Sequence, residues 1–437
     1  MSTRAWIAIA ASTLAACAPA APCPSLAEAS APAQADAAAP DREGFSVATS
    51  IPASLDPAAL ERIRQRAKSE HSSALVVIAD GAIVAEDYFG FDPDKPRMAM
   101  SVTKSVVALG LGVFVGRGFL DLDKPLSTWI PELASSAAAD KSAITLRHLM
   151  NHTSGLTTAR AGAKQEDWWT HSIEEHVLGS KLESEVGSSF VYNNNATDFI
   201  SVVVRRANPE HAFFDDLLDF TLFAPLGVHA TGWSKDAKGD PRTSGELQIR
   251  AIDLAKIGQL LLDRGKWRGA SLVPESFIDE LERPGQSITD QCGLLWWRDG
   301  KPKTVFLNDR RLGVWRSAGA DSAVIEKAAS LVGKTFPSRG AAREALAALV
   351  GEEAVSALEE LLKKRHSRMF EQTTDVLAYR ADGWLGQYVI VVPSARLVAV
   401  RMRDPRESSW NDQEYNYDDF RWDVLDLARV SVPVADR

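Results

Sequence analysis

Apolar and polar positions repeat in two different periods along this chain, and the order in which the periods change predicts its architecture. Residues 1–16 form an apolar run with one positive charge, Arg4, and no acidic residue. Residues 17–50 are rich in Ala, Pro and Ser and carry too few large apolar side chains to bury a core, which predicts a disordered tether. Helical spacing begins at 56–72, with an N-cap at Ser54 or Asp56. Two apolar runs at 74–79 and 82–89 flank Asp80-Gly81, the turn pair of a β-hairpin. A polar start followed by an apolar helical pattern covers 98–109. Short helices are expected at 145–150 and 213–223, with a longer one at 196–208. A buried strand follows at 293–297. Between 339 and 366, Leu346, Leu349 and Val350, then Val355, Leu358, Leu361 and Leu362, give two amphipathic faces around Gly351. Strand patterns return at 375–380, 386–392 and 396–403, and 411–429 reads as a closing helix beside the first. The prediction is an α+β fold over 51–437: an antiparallel β-sheet flanked by helices, an all-helical subdomain at about 110–285, and a helical insertion at about 320–372 placed on the flank of the sheet.

Composition sets bounds on this picture. The 437 residues allow one large unit of two subdomains, and 45% hydrophobic with 24% charged residues is the balance of an ordinary globular enzyme. A net charge of -9, with no basic patch, disfavours a nucleic-acid partner. Three cysteines are too few for a disulfide framework, so Cys23 and Cys292 read as unpaired thiols. Cys17 stands apart: Leu14-Ala15-Ala16-Cys17 closes the apolar run like a bacterial lipoprotein box, with Cys17 lipidated and becoming the new N-terminus. The run suits an export signal (1–16) better than a membrane span, which needs about 20 apolar residues. The alternative is ordinary cleavage after Ala18 or Ala20. The expectation is an exported protein, held in the periplasm by its lipid and, since Ala18 is not an aspartate retention signal, on the outer membrane; without the lipid it would be secreted.

The chemistry centres on Met98 to Leu109. Ser101 sits at the first turn of a helix pattern and Lys104 three residues on, so both share one face. Burial and the positive field of the helix start favour a neutral amine, which can take the serine proton. No other serine is followed at this spacing by lysine, and Tyr192-Asn193-Asn194 is the one Tyr-x-Asn; Gly383 to Gly386 leads into a later strand. His148 and His152 lie four apart, but no third ligand follows at suitable spacing. Glu174 and His176 lie beyond a polar loop, so the histidines read as helix packing and turn capping, and no metal or cofactor is expected. Asp167-Trp168-Trp169 in that loop reads equally as a cleft wall and as packing. No Gly-x-Ser-x-Gly elbow occurs.

With these residues in place the chain resembles the penicillin-recognising serine hydrolases, in the branch of class C β-lactamases, related esterases, D-aminopeptidases and 6-aminohexanoate-dimer hydrolases. The stretches 144–156 and 251–261 are similar to that branch as well, and the resemblance spans about 50–403. It implies a β-lactamase/transpeptidase-like fold and an acyl-enzyme on Ser101, with Lys104 and Tyr192 sharing the roles of general base and acid and Asn194 orienting Lys104 and the substrate. Residues 381–387 occupy the family's third motif, so the Trp384 amide with that of Ser101 would form an oxyanion hole, and Gly383 would let the substrate approach the strand edge. Where relatives present a cationic or hydroxyl group, this chain has Ala381 and Asp382. That marks down β-lactams and leaves Arg380 and Gln387 as possible anion partners. Ser317-Ala318-Gly319 is a rival placement that lacks the following strand. The resemblance implies a small-molecule or peptide-like ester or amide substrate. Its alternatives are a penicillin-binding D,D-peptidase or β-lactamase, and a non-catalytic protein that uses the insertion for binding.

Overall fold

The computed structural model describes residues 42–135, 138–159, 171–208, 210, 212–229, 232–286, 288–364, 367–404 and 417–430. Cys17, Cys23, Trp168 and Trp169 lie outside this set. β1 (Ser46–Val47) leads to α1 (Pro57–Ser69), which starts where the Asp56 carboxylate accepts the Ala58 amide at 2.9 Å and Pro57 presets the first turn. The hairpin then forms as its turn pair predicts: β2 (Ala74–Ala79) and β3 (Ala82–Asp87) are joined by Asp80 at φ 49° and Gly81 at φ 74°, a pair of positive values whose twist matches the strands. β4 (Arg97–Met98) brings the chain to Ser101, and α2 (Val102–Gly116) carries it away through the core.

The middle of the chain is largely helical. It contains α3 (Leu146–Met150), α4 (Ile173–Gly179), α5 (Asn194–Ala207) and α6 (Phe214–Leu218), which widens through a π turn at 219–223 into α7 (Ala224–Leu226). β5 (Gln248–Ile249) returns to pair antiparallel with β4. After it come α8 (Ala251–Leu262), the small hairpin of β6 (Lys266–Trp267) and β7 (Ala270–Ser271), and α9 (Glu275–Glu282). The strand expected at 293–297 begins only at its last residue. Leu295 takes a left-handed φ of 60° and the Gly293 amide bonds back to the Trp296 carbonyl at 2.8 Å, so these residues turn into β8 (Trp297–Phe306) rather than extend.

Next are α10 (Asp309–Ala318), α11 (Ser322–Ala328), β9 (Thr335–Phe336), α12 (Arg339–Val350) and α13 (Glu352–Lys363). The chain ends with β10 (Glu371–Gly383), β11 (Gln387–Val392), β12 (Leu397–Met402) and α14 (Phe420–Leu427). Eight strands make one sheet in the order β1-β3-β2-β12-β11-β10-β8-β9, antiparallel apart from β1 against β3. The central strands β2, β11 and β12 are buried along their whole length because both faces are covered. α1 and α14 pack on one face, over Leu75, Val77, Ile390 and Leu397, and α8 and α2 lie against the other. Each such aliphatic side chain, taken fully out of water, contributes about 1.5–3 kcal/mol.

The segment from α10 to α13 has its own apolar cluster, including Trp315, Ile325, Leu346, Val355 and Leu358. It leaves the sheet at Leu307, earlier than the expected residue 320, because Asp309 to Ala318 is already helical. Leu349, expected on the packed face, is 38% exposed. Gly319 caps α10 in the left-handed conformation at φ 90°, which places Ser317-Ala318-Gly319 in a helix terminus. No helix among the described residues is long and apolar enough to cross a membrane.

Candidate active site

The chain turns sharply into the site. Met100, with φ at 50°, occupies a left-handed conformation that a side chain rarely adopts, and this swings Ser101 out at the head of α2. The turn is fixed from behind: Trp296 Nε1 donates to the Ser105 carbonyl at 3.1 Å, and Ser105 Oγ donates to the Leu295 carbonyl at 2.8 Å. Lys104 Nζ lies 3.1 Å from Ser101 Oγ and donates to the Ser244 carbonyl at 2.5 Å. Lys104 is 3% exposed. Desolvation brings its amine down to about 7, opposed in part by the Asp198 carboxylate.

Tyr192 arrives from the connection into α5, whose first turn is capped by Asn193 Oδ1 accepting the Ala196 amide at 3.1 Å. Its hydroxyl is hydrogen-bonded to Ser101, and Lys104 Nζ stands 4.7 Å from the centre of its ring. Tyr192 is 40% exposed along the cleft, yet desolvation by the surrounding side chains pushes its phenol up to about 12, against the pull of the Ser101 bond. The ring is held between His152, 4.7 Å away, and Trp297, stacked at 6.1 Å. His152 Nδ1 accepts the Asn193 amide at 3.2 Å, and desolvation, then the charge of Lys104, bring it down to about 3. His148 Nδ1 accepts the Thr145 amide at 3.1 Å in a capping box, and His176 Nε2 meets the Ala159 carbonyl at 3.1 Å. Each of these three histidines thus has a packing or capping contact.

Ser101, Tyr192, Gly383, Trp384 and Asp382 border one cleft of about 410 Å³, together with Trp297, Tyr388 and Asp418. Gly383 is required there: a Cβ would come 2.8 Å from the Ala99 carbonyl and 3.1 Å from Met100 Cβ, so only glycine lets the end of β10 lie against the Ser101 turn. Asn194, expected beside Lys104, is exposed at the start of α5. The second partner of the amine is the Ser244 carbonyl, and the Asn193 side chain turns inward to cap α5. Asp382 faces the cleft but is ion-paired with Arg380, which also holds Asp299 at 2.9 Å. Gln387 is fully buried between the amide and the carbonyl of Arg403. Arg380 and Gln387, expected as possible anion partners, are therefore engaged in the sheet.

Sequence reasoning missed Ser244, Asp198, Asp418 and Arg401. Ser244 contributes a carbonyl, which no motif can mark. Asp198 did carry a signal, a lone acid inside the apolar run of α5 six residues after Tyr192. Arg401 is fully buried and donates to the carbonyls of Leu385 at 3.2 Å and Gly386 at 2.8 Å, fixing the turn that contains Trp384.

The sequence profile of the family described as Beta-lactamase matches residues 59–404. The chain belongs to that family. Within the penicillin-recognising serine hydrolases it is 23% identical over 248 residues to the 6-aminohexanoate-dimer hydrolase of Paenarthrobacter ureafaciens, covering 53% of this chain and 63% of that protein. It is 34% identical over 220 residues to esterase EstB of Burkholderia gladioli, covering 45% and 55%. The matches thus span between half and two thirds of these relatives. Among solved structures, the class C beta-lactamase of Rhodobacter sphaeroides shares the fold, with a TM-score of 0.51 at 13% identity over 85% of this chain and 99% of that one.

Proposed function

We propose that this member of the beta-lactamase family is a serine hydrolase that cleaves an ester or amide through an acyl-enzyme on Ser101. The observation that carries this reading is the convergence of a desolvated lysine amine and a tyrosine hydroxyl on one serine oxygen. As Ser101 Oγ attacks the substrate carbonyl, its proton passes to Lys104, the group poised to be neutral near pH 7. Tyr192, neutral as a phenol, gives its proton to the departing oxygen or nitrogen and regains one from the Lys104 ammonium. The amides of Ser101 and Trp384 would hold the developing alkoxide, each such donor contributing a few kcal/mol. Water then attacks the acyl group, its proton returning through the same pair to Ser101. Lys104 and Tyr192 titrate as a unit in this scheme.

Aromatic walls and two carboxylates border the cleft, and the nearby Arg380 is engaged by Asp299 and Asp382, so a substrate carboxylate finds no cationic partner among the described lining residues. Neutral acyl donors fit better than β-lactams. A fluorophosphonate should label Ser101. A panel of p-nitrophenyl esters, D-amino-acid amides and nitrocefin should show ester or amide turnover, with Ser101→Ala losing nearly all of it. A Ser101→Ala protein with near-normal ester turnover would refute the mechanism, and rapid nitrocefin hydrolysis would favour the β-lactamase alternative. We also propose export and anchoring through lipidated Cys17, on the strength of the Leu14 to Cys17 box. Metabolic labelling with a fatty acid should be lost in Cys17→Ala; labelling that persists overturns it.

A further inference from the structure

Lys104 is held by the carbonyl of Ser244, and the amide of the same residue is held by an acid. Ser244 accepts the Lys104 Nζ hydrogen bond on its carbonyl at 2.5 Å, while its own amide donates to Asp198 Oδ1 at 2.7 Å. The backbone of one residue, Ser244, separates the carboxylate from the amine. The strap that contains it is pinned on both sides: Thr243 Oγ1 donates to the Thr197 carbonyl at 2.7 Å, the Leu247 amide to Thr103 Oγ1 at 3.3 Å, and the Ala99 amide to the Leu247 carbonyl at 2.9 Å. Asp198 is 1% exposed, and Arg242 Nη1 lies 3.6 Å from its other oxygen.

We propose that Asp198 is a positioning residue for Lys104, acting through the backbone of Ser244, and that Arg242 sets the strength of its effect. The inference rests on Lys104 serving as the base. A neutral amine has two N–H bonds and one lone pair. Donating one N–H to a fixed carbonyl sets its rotation, and the lone pair is then left for the Ser101 proton. The carboxylate anchors the Ser244 N–H, and with it the residue whose carbonyl holds the amine. Its charge also stabilises the ammonium formed when the proton arrives. Burial alone drives the Lys104 amine down; Asp198 draws it back into a working range.

The other titratable or charged groups facing this assembly are Tyr192 and His152 at Lys104, His171 and His176 beside Asp198 and Arg242, and Asp236 and Glu246 acting on Arg242. If Asp198 and Arg242 were only a buried structural pair, substituting either would loosen the fold and move no titration in a signed way.

The test is the pH dependence of the rate at which a fluorophosphonate labels Ser101 in the full chain, with thermal melts as the folding control. In the wild type the rate rises as Lys104 loses its proton. Asp198→Asn keeps an oxygen for the Ser244 amide but removes the charge, so the rising limb moves about one pH unit downward and its plateau falls. Arg242→Gln removes the opposing charge, so the limb moves upward. Opposite shifts support the proposal; limbs that stay in place or move together overturn it. If Asp198→Asn does not fold, Arg242→Gln decides alone, an upward shift supporting and an unmoved limb refuting. A wild type that is not labelled at Ser101 removes the base reading itself, whereas a labelled wild type with unmoved limbs removes only this inference.

Discussion

The buried amine of Lys104 is kept at the expense of the fold. A lysine in water holds its proton to above pH 10, and burial here brings that down to about 7. Below the folded value both the folded and unfolded chains carry the charge, and the folded one bears the full desolvation cost. Above the unfolded value neither carries it and the cost is gone. Stability lost to this residue is therefore greatest below pH 7 and fades as pH rises toward the lysine value in water, with a size of several kcal/mol. Asp198 keeps Arg242 and the Ser244 amide if the amine is removed, and the Ser244 carbonyl loses one partner, a smaller loss of about 1–3 kcal/mol. Lys104→Met is accordingly expected to abolish esterase activity while raising the midpoint of thermal unfolding at pH 6, by an amount that shrinks at pH 9. Melting curves at the two pH values check this, and a lower midpoint at pH 6 would mean that the amine is better solvated than its burial implies.

At the scale of elements, the site is a meeting of three turns: the Met100 turn into α2, the connection into α5, and the Gly383 to Gly386 turn between β10 and β11. The last is held by Arg401, whose guanidinium is brought down to about 10 by burial and so stays charged at neutral pH. Gly383→Ala would force its Cβ against the Ala99 carbonyl and Gln387 Cβ, at 2.8 Å and 3.0 Å, and push the strand end off the nucleophile turn. A displacement of about 1 Å at a reacting centre costs about a hundredfold in rate. The expected result is a drop of that order in kcat/KM with a melting midpoint close to wild type. A variant of near-normal kcat/KM would show that the strand end is free to shift. Local signals made parts of this legible in the sequence. Asp80-Gly81 announced the hairpin, Asp56 the start of α1, and the spacing of Ser101 and Lys104 the shared face. What joins the turns was not legible, because it is made by groups far apart in sequence. Lys104 meets a carbonyl 140 residues on, and Arg401 reaches Ser72 across 329. Asn194 was misplaced for a related reason: at the start of α5 it is exposed, Asn193 is spent on the cap and on the Leu156 carbonyl, and the distant Ser244 carbonyl meets Lys104.

Across the described residues, the chain is a sheet whose two halves come from opposite ends of the sequence, with the helical middle folded over Ser101 and a second helical segment let into one hairpin. β8 and β10 pair from Trp297 against Arg380 out to Phe306 against Glu371, so the chain leaves and rejoins the sheet at adjacent positions. Residues 307–370 are in effect the loop of a hairpin, with an apolar cluster of their own around Trp315, Leu346 and Leu358. Besides the pairing of β9 with β8 and the packing of Val305 into that cluster, their links to the rest include ion pairs such as Arg368 to Asp290 and Arg311 to Glu371. None of the described residues bordering the Ser101 cleft comes from them. Replacing 307–370 by Asn-Gly, the two-residue connection suited to a hairpin, should lower the melting midpoint through lost packing at Val305 and leave fluorophosphonate labelling of Ser101 within severalfold of wild type. Should labelling fall a hundredfold while the shortened chain still melts cooperatively, the segment would have to act on the site, and its helices would belong to the catalytic machinery instead of the flank of the sheet.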